Sequence, residues 1–285
     1  MARTREAQTV LVLGGTGKTG TRVASRLAAR GVPVRIGSRS AERPFHWERE
    51  ETWAAAVEGA GAAYVSFHPD LAVPGAVEAV RAFAGLAVDA GVRRLVLLSG
   101  RGEEEAERAE QAVREAGAEW TIVRCAWFSQ NFSESYLLEP VRLGEVVLPA
   151  GDVGEPFVDA EDIADVAAAA LVEDGHAGEL YELTGPRLLT FAEAVAELSG
   201  ATGREIRYVP VGLSEYAAAL AEEGVAAEYV ALLTYLFREV LDGRNAFVAD
   251  GVRRALGRQP RDFGEYVRTT AATGAWELAP ASRAA

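Results

Sequence analysis

Gly14, Gly15, Thr16, Gly17, Lys18, Thr19 and Gly20 form the stretch most able to do chemistry. They follow Val10-Leu11-Val12-Leu13, an apolar run suited to a strand buried on both faces of a parallel sheet. Gly15, Gly17 and Gly20 satisfy G-x-G-x-x-G, with Gly14 a further glycine at the strand exit. In that pattern one glycine turns the chain, one lets backbone N–H groups approach a pyrophosphate, and one lets the helix pack on the sheet. The anion then rests on a helix N-terminus, where unpaired N–H groups and the helix dipole favour negative charge. The Gly17-Lys18-Thr19 ending also suggests a P-loop, but that motif needs a glycine at the position of Val12, inside the strand. A dinucleotide is therefore the expected ligand.

Three further stretches should open toward that ligand. Val32-Pro33-Val34-Arg35-Ile36 alternates as a second strand and leads to Ser38-Arg39-Ser40, where an Asp or Glu would select NAD. Arg39 with Ser38 beside it suits a 2′-phosphate instead, which favours NADP with NAD as the alternative. Ala62 to Phe67 reads as another strand. Its carboxyl end places Ser66 and Phe67 against the cofactor and makes His68 a candidate proton donor near neutral pH. Ser99, ending the strand Arg94 to Gly100, is the second candidate catalytic residue. Past the strand Trp120 to Arg124, the residues Trp127, Phe128, Asn131 and Tyr136 are candidates for holding a flat organic substrate, although the core of a covering lobe would use the same residue types.

The elements that position these groups alternate strand and helix. Helical spacing runs through Val23 and Leu27, through Trp53 to Val57, from Pro74 to Ala90, and from Glu103 to Ala116. Repeated strand–helix units predict an α/β fold, a doubly wound parallel (Rossmann) sheet with right-handed crossovers. Asp159 reads as the N-cap of a helix over 162–171, and Thr190 with Glu193 as a capping box. Helical stretches over 215–222 and 226–241 dominate the C-terminal part of the chain. The division expected is a dinucleotide-binding core over 1–155, receiving strand and helix segments from 156–185, and a small, mainly helical substrate-covering lobe over 186–285.

The chain has 285 residues, 49% of them hydrophobic, enough for a large core. Its net charge of −13 argues against nucleic acid as a partner. Cys125 is the only cysteine, which leaves no internal disulfide and no cysteine-rich metal site and fits a reducing compartment. No apolar run reaches the roughly 18 residues needed to span a bilayer, and the one after Thr9 is short for a signal segment. A cytoplasmic protein without a membrane partner is expected. A homo-oligomer or a partner enzyme stays open. Lys18 is the only lysine, so no catalytic lysine can lie elsewhere.

Gly14 to Gly20, the Ser99-Gly100 strand end, Arg124 followed by Trp127-Phe128 and Asn131, and Phe157-Val158-Asp159-Ala160-Glu161-Asp162-Ile163-Ala164 together resemble the NmrA-like branch of the atypical short-chain dehydrogenase/reductases. The resemblance runs over nearly the whole chain. It implies a Rossmann core binding NADP or NAD with a small C-terminal lobe. Members of the branch include redox-sensing regulators, quinone and aldehyde reductases, and partners in aromatic polyketide hydroxylation. The wider superfamily uses a Tyr-x-x-x-Lys pair, yet between Ser99 and Trp120 this chain has neither tyrosine nor lysine. The implied activity is NADPH-dependent reduction of a quinone or polycyclic aromatic. A nucleotide sensor without turnover and a component of an oxygen-dependent hydroxylation are the alternatives.

Overall fold

The computed structural model describes residues 8–278. In chain order they form β1 (Thr9–Leu13), α1 (Lys18–Ala29), β2 (Val34–Gly37), α2 (Trp53–Val57), β3 (Ala60–Val65), α3 (Ala76–Asp89), β4 (Arg94–Gly100), α4 (Glu104–Glu115) and β5 (Glu119–Cys125). Next come α5 (Asn131–Glu134), α6 (Leu138–Leu143), β6 (Glu145–Leu148), α7 (Ala160–Val172), β7 (Glu179–Leu183), α8 (Phe191–Thr202) and β8 (Arg207–Pro210). The chain finishes with α9 (Leu213–Glu222), α10 (Ala227–Tyr235), α11 (Gly251–Leu256) and α12 (Phe263–Ala271).

These elements divide into two compact units. The first holds the chain through Ala126, Ala160–Thr184 and Ala249–Pro260. The second holds Trp127–Asp159, Gly185–Val248 and the residues from Arg261 on.

The first unit is the expected doubly wound parallel sheet, with strand order β2-β1-β3-β4-β5-β7. Order reverses at β1, which pairs with β2 on one side and β3 on the other, so a ligand cleft belongs at the carboxyl ends of β1 and β3. Every residue of β3 is buried, as a central strand covered on both faces requires. Leu11, Leu13, Val65 and Leu97 pack with Phe83, Ala87, Ala109 and Val113 of α3 and α4 in one core. Helices α1 and α7 pack side by side, and α7 meets β3, β4 and β5. The buried run Ala167–Ala170 keeps that helix thin where it approaches the sheet. Arg22 and Arg26 of α1 both reach Glu161 of α7, and Arg26 also pairs with Asp165.

The second unit is built around an aromatic core. Phe132, Phe157, Phe191, Phe263, Tyr266 and Trp276 are buried together. Phe157 lies edge-on to Phe191 at 5.1 Å between ring centres, and Trp276 donates its indole N–H to the Phe132 carbonyl at 2.7 Å. The unit is mainly helical, with one parallel strand pair, β6 and β8. This partition differs from a boundary at 155: residues 127–159 join the second unit because Phe132 and Phe157 are core residues there. Conversely, α11 returns to the first unit. A Cβ on its Gly251 would fall 2.3 Å from the Glu182 carbonyl oxygen of β7, an approach only glycine permits. Residues 156–158 form no strand of their own; Val158 makes an isolated bridge to Phe128.

Candidate dinucleotide-binding site

The turn after β1 is shaped by its glycines. Gly14 adopts a positive φ of +63°, where glycine carries no steric penalty, and its N–H donates to the Gly37 carbonyl at 3.0 Å. The carbonyl of Gly14 in turn accepts from the Gly17 N–H at 2.8 Å. A Cβ on Gly20 would lie 2.2 Å from the Gly14 oxygen, which assigns this position to helix–turn packing. Gly17 is the N-cap of α1 in extended conformation, and a Cβ there would meet only the Gly14 oxygen, at 3.3 Å. No side chain caps the helix, and its first turn holds no acidic residue. The N–H groups at the start of α1 thus have no capping side chain from Gly17, and Lys18 stands at the first helical position. A cation there opposes the helix dipole; a bound phosphate removes the conflict. The turn fits a dinucleotide pyrophosphate.

The neighbouring strand ends supply the rest of the cradle. Ser38 follows Gly37 directly, and its carbonyl accepts the Phe45 N–H at 3.0 Å, folding the 38–45 loop back on itself. Arg39 is exposed and has no carboxylate partner among the described residues, whereas nearby Arg43 and Arg49 pair with Glu58 and Glu51. Ser66 borders the glycine turn: its Oγ lies 3.4 Å from where a Cβ on Gly14 would stand. Trp47 donates its indole N–H to the Ser66 carbonyl at 3.1 Å and packs 4.8 Å from the Phe67 ring. Phe45 and Trp53 are buried in the core under α3, so of these three aromatics only Trp47 reaches the strand ends.

Of the two candidate catalytic residues, Ser99 lies buried near the end of β4. It is 4% exposed, and its hydroxyl donates to Glu110 at 2.7 Å. Glu110 is itself buried and accepts two hydrogen bonds from the Arg124 guanidinium, at 2.8 and 2.5 Å. Ser99 and Arg124 therefore serve to fix α4 against β4 and β5. That Glu110 bond is also the first cause raising the Arg124 pKa. His68 stands exposed at the carboxyl edge, just past β3.

An acidic pair close by had no obvious signal in the residue pattern. Burial drives the carboxyls of Asp70 and Glu103 above the ordinary range, the charge of Asp70 adding to the effect on Glu103. The only hint was that His68-Pro69-Asp70 and Gly100-Arg101-Gly102-Glu103 each follow a parallel strand.

The candidate substrate residues all lie in the second unit. Trp127 is half-buried, edge-on to Phe191 at 5.8 Å and 5.2 Å from Phe237, and it donates its indole N–H to the Tyr136 hydroxyl at 3.2 Å. Burial pushes the Tyr136 phenol well up. These two residues form the margin of the aromatic core. Phe128 is half-buried, has no ring partner among the described residues, and bridges Val158 through its backbone. Asn131 opens α5 and is also half-buried.

The NAD(P)H-binding family profile matches residues 14–174, more than half of the chain. The chain belongs to this family. Within it, an oxidoreductase of Bacillus subtilis (strain 168), YesF, whose own role is uncharacterised, is 32% identical over 275 residues, covering 92% of this chain and 95% of that one. An NAD(P)H azoreductase of Xenophilus azovorans is 30% identical, covering 92% and 98%. The NADPH complex of an Escherichia coli NADPH-dependent quinone oxidoreductase is 22% identical and superposes with a TM-score of 0.73, covering 91% and 99%, a likeness of fold. This family member is an NAD(P)H-dependent oxidoreductase. No helix among the described residues is long and apolar enough to cross a membrane.

Proposed function

We propose that the protein reduces a conjugated acceptor, a quinone or polycyclic aromatic of polyketide type, at the expense of NADPH. One observation carries the reading: the only lysine, Lys18, stands at the start of α1 in the dinucleotide turn, so no Tyr–Lys pair can lower a tyrosine pKa to protonate an unactivated carbonyl. Substrates whose reduction yields a stabilised aromatic product need least help of that kind. The names of the azo dye and quinone reductases among its relatives fit such acceptors.

In this reading the bound dinucleotide supplies a hydride. The uncapped amides after Gly17 and Lys18 hold the pyrophosphate, while Ser38 and Arg39 hold the 2′-phosphate. Ser66 and Phe67, at the β3 exit, line the path of the cofactor. Phe128 and Asn131 hold the acceptor, Phe128 by stacking and Asn131 by hydrogen bonding, with Trp127 and Tyr136 stiffening the wall behind them.

The test is to mix purified protein with NADPH and a panel of quinones and azo dyes, with and without oxygen, following the absorbance of the reduced nicotinamide. Acceptor-dependent oxidation without oxygen supports the reductase. NADPH binding without oxidation by any acceptor would make the protein a sensor, and a hydroxylated product formed only with oxygen would assign it to an oxygenating system.

A further inference from the structure

We propose that the Tyr136 hydroxyl donates a hydrogen bond to a carbonyl oxygen of the acceptor, with Trp127 as its positioning residue, an inference that rests on the function proposed above. This donor selects acceptors bearing a ring carbonyl, quinones above all, over flat molecules without one. The argument begins with the direction of one bond. Trp127 donates its indole N–H to the Tyr136 oxygen at 3.2 Å. A phenol oxygen that accepts an N–H still carries its own proton, turned away from that donor. Among the described residues no group accepts this proton. Burial pushes the phenol well up, so the proton stays in place at neutral and mildly alkaline pH. The residue is nevertheless only half-buried, which leaves its hydroxyl within reach of a ligand.

Trp127 is held from several sides, all within the second unit. Its backbone N–H donates to Glu155 Oε1 at 3.0 Å, and its carbonyl accepts the Val158 N–H at 2.9 Å. Glu155 is buried and exchanges two backbone hydrogen bonds with Leu189, of 2.8 and 3.0 Å. The indole ring lies edge-on to Phe191 and 5.2 Å from Phe237. Phe237 comes from an uncommon turn. After α10 the chain winds through Leu236–Val240 as a π-helix, and the Leu241 N–H donates to the Leu236 carbonyl, five residues back, at 3.1 Å. Such turns are rare and frequent at functional sites. Here the turn sets Phe237 between Trp127 and Tyr216, the latter at 5.5 Å. A donor whose support is fixed in this way loses little freedom when it meets a ligand.

A flat acceptor stacked on half-buried Trp127 presents the oxygen at its ring edge to Tyr136. The O–H bond stays intact: the phenol holds the carbonyl and draws charge toward its oxygen, and the indole N–H behind it strengthens the phenol as a donor. Because the phenol keeps its proton, this role needs no lysine beside it. The chain has none to offer there, since Lys18 belongs to the first unit. Quinones and fused-ring ketones carry the required oxygen, whereas azobenzene carries none.

The test uses 1,4-naphthoquinone and azobenzene with protein loaded with NADP⁺, so that binding is read without turnover. Infrared difference spectra of naphthoquinone on the wild type should show a carbonyl band at lower wavenumber than in an apolar solvent. Tyr136→Phe should return the band toward the apolar value, and Trp127→Phe should move it part of the way. Tyr136→Phe should weaken naphthoquinone by about tenfold while changing azobenzene and NADPH by less than about threefold. No bound naphthoquinone, or an unshifted band in the wild type, overturns the proposal whether or not the variants fold. Equal losses for naphthoquinone and azobenzene overturn it too and reduce Tyr136 to packing, and an unmoved band in Trp127→Phe removes the positioning role. NADPH oxidation is followed separately. Wild type that shows the shifted band but oxidises no NADPH defeats the reductase reading and leaves the donor standing, whereas a wild-type KM for naphthoquinone in Tyr136→Phe keeps the reductase and removes the donor.

Discussion

Ser99 donates its hydroxyl to Glu110 across 2.7 Å, and through that bond a residue near the end of β4 ties the strand to α4. Ser99→Ala leaves a buried carboxylate one donor short, and a hydrogen bond to a charged group is worth about 1.5–3 kcal/mol. Denaturant melts should report a loss of that size while NADPH oxidation continues near the wild-type rate. A collapse of turnover at unchanged stability would return Ser99 to the reacting centre.

Arg39 and the 2′-phosphate form the second prediction. Its exposed guanidinium has no carboxylate to release before binding. Arg39→Ala should therefore weaken NADPH by about 10–100-fold, the equivalent of about 1.4–3 kcal/mol, and change NADH by less than about threefold. Equal losses for both dinucleotides, measured by fluorescence titration, would remove the assignment.

Two glycines of the turn should fail in different ways. At Gly20 a methyl would enter the Gly14 carbonyl, so Gly20→Ala should cost about 1–3 kcal/mol of stability as the helix is pushed off the strand. At Gly17 a methyl would meet only the Gly14 oxygen, at 3.3 Å, which must give by a few tenths of an ångström, so Gly17→Ala should cost less stability than Gly20→Ala while binding NADPH about tenfold more weakly, because the methyl stands where the phosphate approaches. Thermal melts and binding titrations on the same two proteins separate the effects.

Stability should respond to pH with opposite signs at two acidic sites. Burial raises Glu103, so the folded state binds its proton more tightly than the unfolded chain. Its contribution is complete below the ordinary carboxyl value near 4.5 and is lost as pH rises through the folded value. Glu103→Gln should flatten that alkaline decline. Asp262 is held below the ordinary range by its hydrogen bonds from Arg187. Its contribution is present above about 3.8 and lost as pH falls through the lower folded value. Arg187→Ala should weaken the acid-side transition, and melts across pH read both.

Much of the first unit was legible because parallel strands are written as apolar runs. The stretch read as a strand over 94–100 is β4 without change, and Thr190 with Glu193 does form a capping box. Short elements carried no such signal. Strand β8 is four residues long, none of them buried, and is ordered by pairing with β6 rather than by its own pattern. The cofactor turn could be read because glycine spacing encodes backbone geometry directly. Ser99 could not, because its partner Glu110 looks like any acidic residue on a charged helix until α4 packs with that face inward. Asp70 and Glu103 are 33 residues apart and follow the neighbouring parallel strands β3 and β4, so their buried acidic character shows only in the fold.

Everything proposed for this chain depends on a dinucleotide held by the turn between β1 and α1. Calorimetric titration of the purified protein with NADPH measures this directly. One site per chain is expected, binding NADPH more tightly than NADH. Heat changes no larger than dilution for both cofactors would contradict the account at its base.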